Sequence, residues 1–479
     1  MRAILMISAS VFMLSACQTL DFKNLKPEAQ AIDPVEVTPT APKWVEAAPE
    51  DLPSTDWVAD FSDGQLLALV NEALEANTNI LAAAARVEAA QARNKIANAD
   101  RLPTVSGSAD ISRREDAGPF PSTASLGYGV SASWEADLWG RIRDGVDAAE
   151  LETGATQADY AGARLSIAGQ VTQAWFDLVE SRLLTELSVR DVETQERALR
   201  LTTRRFEGGV SGSSDVRLAR SALANAQALQ ATRRQIYSST ARRLEILLRR
   251  YPSEDIVAAA DLPALPPLTG AGVPGDVLRK RPDLLAAEGR LRAQGLQVDI
   301  ARKNLLPRLT LNGGGNVGGN AFNDLFDIDA LVGTLAAGLT QPIFQGGALK
   351  ANVEQQRANL KVQLENYAGT ALNAYFEVEN ALDGEQRLAE REAALRISLD
   401  EAFKAEERLE IRYTEGLATI LQLLDAQSRR ISAESQLISA RKERLANRVR
   451  MHIALGGGLY GGGVANSLAM DSVAMTSGN

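Results

Sequence analysis

Leu126-Gly127-Tyr128-Gly129-Val130-Ser131-Ala132-Ser133-Trp134-Glu135-Ala136-Asp137-Leu138 alternates without a slip. Successive side chains of a strand point to opposite faces, so Leu126, Tyr128, Val130, Ala132, Trp134, Ala136 and Leu138 share one face. The other face carries Ser125, Gly127, Gly129, Ser131, Ser133, Glu135 and Asp137. Two readings fit. The apolar face covers a soluble core, or it meets lipid while the small polar face lines a water-filled lumen. A weaker version spans 331–344. There Leu331, Leu335, Ala337, Leu339 and Ile343 oppose Thr334, Gly338 and Thr340, with Gly333 and Gln341 as imperfect members of the apolar side.

Further strands are expected at 104–113 and 308–318, with Gly118-Pro119 as the turn before 124–139. These lengths suit a tilted membrane strand, which needs about 9–11 residues. Four strands cannot close around a lumen, and an open sheet edge cannot sit in lipid. The membrane reading therefore requires several chains to share one barrel. Tyr128, Trp134, Trp139 and Phe344 serve it either as interfacial aromatics or as packing residues beneath the barrel.

Outward from the strands the pattern turns helical. Gly64 to Ala99 reads as one helix ending at Leu102-Pro103. The stretch from Gly140 to about Glu207 has no proline, and Phe176, Val179, Leu183 and Leu187 form an apolar stripe within it. At 1.5 Å per residue it would be roughly 100 Å long. Gly145, Gly154, Gly162 and Gly169 argue against its continuity. Gly208-Gly209 then reverses the chain into Asp215 to Arg250. The second half repeats the order, with helices at 274–305, 347–414 and 419–454. Leu102-Pro103-Thr104 recurs as Leu306-Pro307-Arg308, Asp137 to Gly140 as Pro342 to Gln345, and Ala174-Trp175-Phe176 as Ala374-Tyr375-Phe376. Arg205-Phe206 with Gly209 recurs as Arg412-Tyr413 with Gly416. Four matches in one order point to a duplication.

The chain of 479 residues has one cysteine, Cys17, and one histidine, His452, which removes disulfide scaffolds, Cys/His metal sites and His-dependent triads. Its formal charge of −10 argues against nucleic acid as a partner. No phosphate-cradling loop or serine elbow is present, and an enzyme is not expected. Residues 1–16 read as a signal peptide, and Leu14-Ser15-Ala16-Cys17 resembles a bacterial lipobox. Cleavage there leaves Cys17 to carry lipid, the sole non-protein group expected. Gln18 after the cysteine favours the outer membrane by sorting analogy. Beyond the leader no stretch of 18 apolar residues occurs. The segments are then a lipidated tether at 17–56, a first repeat at 57–251, a proline-rich linker at 252–273, a second repeat at 274–455 and a Gly-rich tail at 456–479.

Several strings together resemble the outer-membrane efflux protein family (TolC- and OprM-like), nearer its lipoprotein, NodT-type branch. They are Trp134 to Arg141, Asn304-Leu305-Leu306-Pro307, Gln341 to Gly347, Arg412-Tyr413-Thr414-Glu415-Gly416 and Leu423-Leu424-Asp425-Ala426-Gln427. The resemblance spans about 40–455. It implies an α+β membrane protein, a homotrimer whose 12-stranded β-barrel takes four strands per chain and continues as a long α-helical barrel. Such a protein is a passive exit duct in the outer membrane. A periplasmic adaptor and an inner-membrane transporter, of the resistance–nodulation–division type, would be its partners.

By the same resemblance Leu421 and Asp425, one helical turn apart, occupy the periplasmic constriction, where three carboxylates would form a ring. Read without the family, Asp425 is a solvated helix residue with Arg429 at i+4. Ser428 stands where the family often has a basic residue, and Arg429 and Arg430 follow it. Gly209, Val210, Gly416 and Leu417 fall at adaptor-docking tips, beside Ser211 and Ala418; otherwise they are turn residues. His452 is expected to be a helix-end residue without a role. Two other readings remain: the exit channel of type I protein secretion, and a periplasmic coiled-coil scaffolding lipoprotein.

Overall fold

The computed structural model describes residues 41, 43–45, 56–114, 123–268, 270–320, 322–327, 329 and 331–457. The signal peptide, Cys17, most of the tether, the Gly118-Pro119 turn and the tail after residue 457 lie outside the described residues.

Helix α1 (Gly64–Ala76) starts where the Asp63 carboxylate accepts the amides of Gln65 and Leu66, and it buries Leu66, Leu69, Val70 and Ala73 at helical spacing. The expected single helix from 64 to 99 is broken at Asn77, whose backbone is extended, and α2 (Thr78–Ala99) follows. Buried Asn77 fixes this break. Its amide donates to the Leu247 carbonyl at 2.7 Å, and its side-chain oxygen accepts from the Asn79 amide at 2.9 Å.

Strands β1 (Thr104–Arg114) and β2 (Thr123–Ala136) form an antiparallel hairpin. β2 stops three residues short of the expected 139. There Asp137 accepts the Arg143 amide at 2.8 Å and Arg141 grips Glu135 with two nitrogens, so the chain is capped into α3 (Arg141–Glu207). This helix runs unbroken through all four glycines that argued against it. At Gly169 a side chain would collide with Ile453, so the glycine permits close packing rather than a break. After α4 (Ser213–Leu247) come the linker and α5 (Pro274–Lys280).

The expected helix 274–305 is also split. Arg281 is extended, because Pro282 disfavours a helical conformation in the residue before it, and α6 (Pro282–Lys303) begins afresh. β3 (Arg308–Gly319) and β4 (Val332–Thr340) follow. β4 is shorter than the expected 331–344, since Pro342 has no amide to give a ladder. The chain closes with α7 (Ala348–Thr414) and α8 (Ile420–Ala454). Element lengths recur across the linker. α2 and α6 have 22 residues each, α3 and α7 have 67 each, and α4 and α8 have 35 each.

Two compact units result, and each draws on both halves of the sequence. One combines Glu88–Ala155 with Ala287–Ala368 and holds the sheet. The other combines Pro39–Val87, Thr156–Ala286 and Gly369–Asn479. In the second unit Trp57, Phe61, Leu66, Leu69, Trp175, Phe176, Val179, Leu244 and Val449 form the core. Phe176 and Val179 of the expected stripe are buried there, Leu183 packs against that core, and Leu187 is buried as well.

Candidate functional site

The sheet has strand order β1-β2-β3-β4, antiparallel throughout. Its register decides which side chains share a face. Val105 pairs with Ala132, Ala109 with Tyr128 and Ile111 with Leu126. Tyr128 in turn pairs with Val317, Trp134 with Leu311 and Ala136 with Leu309. Leu309 pairs with Leu339, Leu311 with Ala337 and Gly313 with Leu335. One apolar face therefore crosses all four strands. The reverse face carries Ser106, Ser108, Asp110, Ser131, Ser133, Thr310, Asn312, Asn316 and Thr334.

Among the described residues most of the apolar face is uncovered, Val317 near one end being buried. Leu335 is 91% exposed, Ile111 82% and Leu339 67%. The soluble-core reading needs these side chains buried, and they are not. Among the described residues no helix is long and apolar enough to cross a membrane.

Of the four aromatics, Trp134 donates to the Arg101 carbonyl at 3.0 Å and Trp139 to the Pro307 carbonyl at 2.6 Å. Tyr128 and Phe344 stand exposed. The pair Phe322 and Phe326, edge to face at 5.7 Å in a 3-10 turn between β3 and β4, was not singled out from sequence.

In the helical unit the two hairpin tips have the same construction. Gly209 (φ +72°) donates to Phe206 at 2.9 Å, and Val210 donates to Arg205 at 2.8 Å. Gly416 (φ +81°) donates to Tyr413 at 3.2 Å, and Leu417 to Arg412 at 2.8 Å. Both are Schellman closures, which place a left-handed residue just past the helix and so favour glycine. Thr419 then starts α8 with a reciprocal capping box to Gln422.

Side chains tie the tips together. Buried Thr202 and Tyr413 share a hydroxyl–hydroxyl bond of 2.9 Å. The Arg205 guanidinium donates to the Tyr413 carbonyl at 2.8 Å and lies 4.9 Å from the Tyr413 ring centroid. Tyr413, Ile420 and Leu423 form a small core beneath, packed by Leu201, Ala418 and Leu424. In the sequence Arg205 and Tyr413 stand out as repeat matches, and Tyr413 also within the family string 412–416. Their partnership spans 208 residues and leaves no local pattern.

Val210, Leu417 and Leu421 are all exposed at these tips. Asp425 is exposed on the same helix and accepts from Arg429 Nε at 2.8 Å, which raises the Arg429 pKa. Arg430 turns inward instead, to Glu406 and Glu434. Desolvation pushes the Glu406 pKa up and Arg430 opposes the shift. His452 lies in the last turn of α8, where it is wholly buried and stacks on Trp57. Among the described residues no cluster of His, Cys, Asp and Glu is arranged to hold a metal.

The sheet presents a largely exposed apolar face, and the chain is otherwise built on very long helices. The model of the family described as outer membrane efflux protein matches residues 69–248 and 273–457, and the chain belongs to that family. The pyoverdine export outer membrane protein OpmQ of Pseudomonas putida is 31% identical over 88% of this chain and 91% of its own length. Outer membrane protein OprJ of Pseudomonas aeruginosa is 29% identical, covering 88% of this chain and 90% of that protein. The open state of the Neisseria gonorrhoeae MtrE outer membrane channel superposes with a TM-score of 0.78. It is 28% identical and covers 88% of this chain and 98% of that one. The chain is accordingly the outer-membrane channel of an efflux system.

Proposed function

We propose that three copies of this chain close their sheets into one 12-stranded barrel, continued by an α-helical barrel, and that drugs or other small solutes pass through it passively. The apolar face across β1 to β4 carries this reading, because it is continuous, exposed over most of its extent and backed by polar side chains. The outer edges of β1 and β4 have no partner strand within the sheet, and lipid does not tolerate unpaired backbone. Closure between copies removes both edges.

The matched lengths of α2 and α6, α3 and α7, and α4 and α8 support reading 57–251 and 274–455 as two copies of one repeat about the linker 252–273. Residues 1–16 act as the signal peptide, and Cys17 carries the lipid that anchors the tether 17–56 to the outer membrane. The gate lies at the tips, with Leu421 and Asp425 at the constriction. Arg429 partly offsets each carboxylate of the ring, so its closing power rests on Leu421 as much as on charge. The exposed apolar side chains of Val210 and Leu417, presented by the turns at Gly209 and Gly416, receive a periplasmic adaptor. An inner-membrane transporter of the resistance–nodulation–division type supplies the energy and selects the solute.

Crosslinking in cells, followed by detergent purification and mass spectrometry, tests the partners. An adaptor and a resistance–nodulation–division transporter are expected, an ABC transporter would instead indicate type I secretion, and envelope scaffold proteins alone would contradict the channel. The barrel has its own test. Leu335→Arg puts a charge on the lipid face at a cost of about 2–4 kcal/mol near the bilayer middle, whereas Thr334→Arg faces the lumen. The first variant should lose outer-membrane insertion and heat-modifiable migration, and the second should keep both. Equal behaviour of the two would contradict the assignment of faces.

A further inference from the structure

His452 is the chain's sole histidine, and its surroundings are unusual. The ring is 0% exposed and stacks on Trp57, with centroids 5.5 Å apart and planes 16° from parallel. Trp57 is equally buried and comes from the turn at 56–61, which packs Phe61 edge to face on Phe176 at 5.2 Å. Among the described residues neither imidazole nitrogen has a hydrogen-bond partner, and neither does Trp57 Nε1. One helical turn before His452 lies Arg448, 2% exposed, with Nε and Nη1 also unpartnered. A neutral imidazole tolerates this site as a flat apolar surface. An imidazolium does not, because it would be a second buried cation with no acceptor for either N–H.

We propose that the Trp57–His452 stack is an acid-opened clasp, which holds residues 56–61 against α8 while the imidazole is neutral and releases them when it is protonated.

Of the charges on the elements packed there, Arg448 on α8 is the one that acts on the ring, and it disfavours protonation. On α7, Glu385 is engaged through Oε1 by Arg444 and Arg448, while its buried Oε2 has no partner among the described residues. Beside the turn at Gly456, Arg281 is held by Asp283 and Glu377 and caps the Ala454 carbonyl. The clasped turn carries Asp56 and exposed Asp60. From α3 comes Leu165, which is apolar.

Burial first, and Arg448 second, lower the imidazole pKa from 6.5 to about 4. The closed clasp thus binds protons less readily than the released ring. Its stability is full above about pH 6.5, falls as the pH drops, and levels off below about pH 4. The closed-to-open ratio should fall about 20-fold between pH 7 and pH 5, and about 300-fold by the lower limit.

The test uses the full chain in detergent, labelled with 5-fluorotryptophan and followed by fluorine NMR. Trp57→Phe assigns the Trp57 line. As the pH falls from 7 to 4 that line should move to the position of a solvent-exposed indole, while Trp44, Trp134, Trp139 and Trp175 stay in place. His452→Gln and His452→Phe, the latter keeping a flat ring without a proton, should abolish the movement. A Trp57 line fixed down to pH 4, the same movement in both His452 variants, or all lines moving together would each overturn the clasp.

Discussion

Replacing Arg205 by alanine should open the channel. The guanidinium crosses from the end of α3 to the end of α7, where it donates to the Tyr413 carbonyl at 2.8 Å and to the Thr414 carbonyl at 3.3 Å. A hydrogen bond to a charged group contributes about 1.5–3 kcal/mol. Stacking over Tyr413 adds about 0.5–1 kcal/mol. If these contacts hold the tips in their resting arrangement, losing them shifts the open-to-closed ratio by roughly 30- to 700-fold, at tenfold per 1.4 kcal/mol. Single-channel recording in planar bilayers would show this as a rise in open probability. Tyr413→Phe removes only the Thr202 bond and leaves the ring, so a smaller rise of about 5-fold is expected. Unchanged recordings for Arg205→Ala would mean that the ties are structural and the gate lies elsewhere.

The second large effect lies in the core. Trp175 is 0% exposed, and its Nε1 donates to Asp63 Oδ2 at 2.8 Å. The other oxygen of Asp63 caps α1 through the amides of Gln65 and Leu66. Trp175→Ala leaves a cavity among Phe176, Leu244 and Val449 and frees that cap, at a cost of about 3–5 kcal/mol. Trp175→Phe keeps most of the volume and should cost about 1 kcal/mol through the lost hydrogen bond. Thermal melts of the detergent-extracted protein by circular dichroism separate the two. A Trp175→Ala midpoint equal to that of the parent would contradict the placement of Trp175 at the centre of the core.

Local signals in the sequence held up well. The alternation from Leu126 to Leu138 correctly placed β2 and both of its faces, since strand period depends only on neighbouring residues. Gly209 and Gly416 were legible as turns because a left-handed residue past a helix end favours glycine. The split at Arg281 was also legible, in Pro282, but the longer helical pattern overrode it. Asn77 gave no comparable warning, because its break depends on a carbonyl at Leu247. Glycines inside α3 misled for a related reason: their use at Gly169 is set by Ile453, which the linear pattern does not show.

The candidate site divides the same way. Leu421 and Asp425 are neighbours on one helix, so their shared exposed face followed from spacing. The contacts of Tyr413 with Thr202 and Arg205 join distant segments, and only the fold reveals them. His452 shows the limit from the other direction. Its place in the last turn of α8 was legible, but its burial was not, because the covering turn with Trp57 lies almost 400 residues earlier in the chain.

The claim on which the rest depends is that three chains share one barrel. Native mass spectrometry of the protein extracted from outer membranes in mild detergent reads this directly. The account predicts one dominant species of three processed chains, each heavier than its polypeptide by the acyl groups on Cys17. A species of one chain, or of two, would contradict it, because four strands or eight would leave the sheet without the closure its edges require.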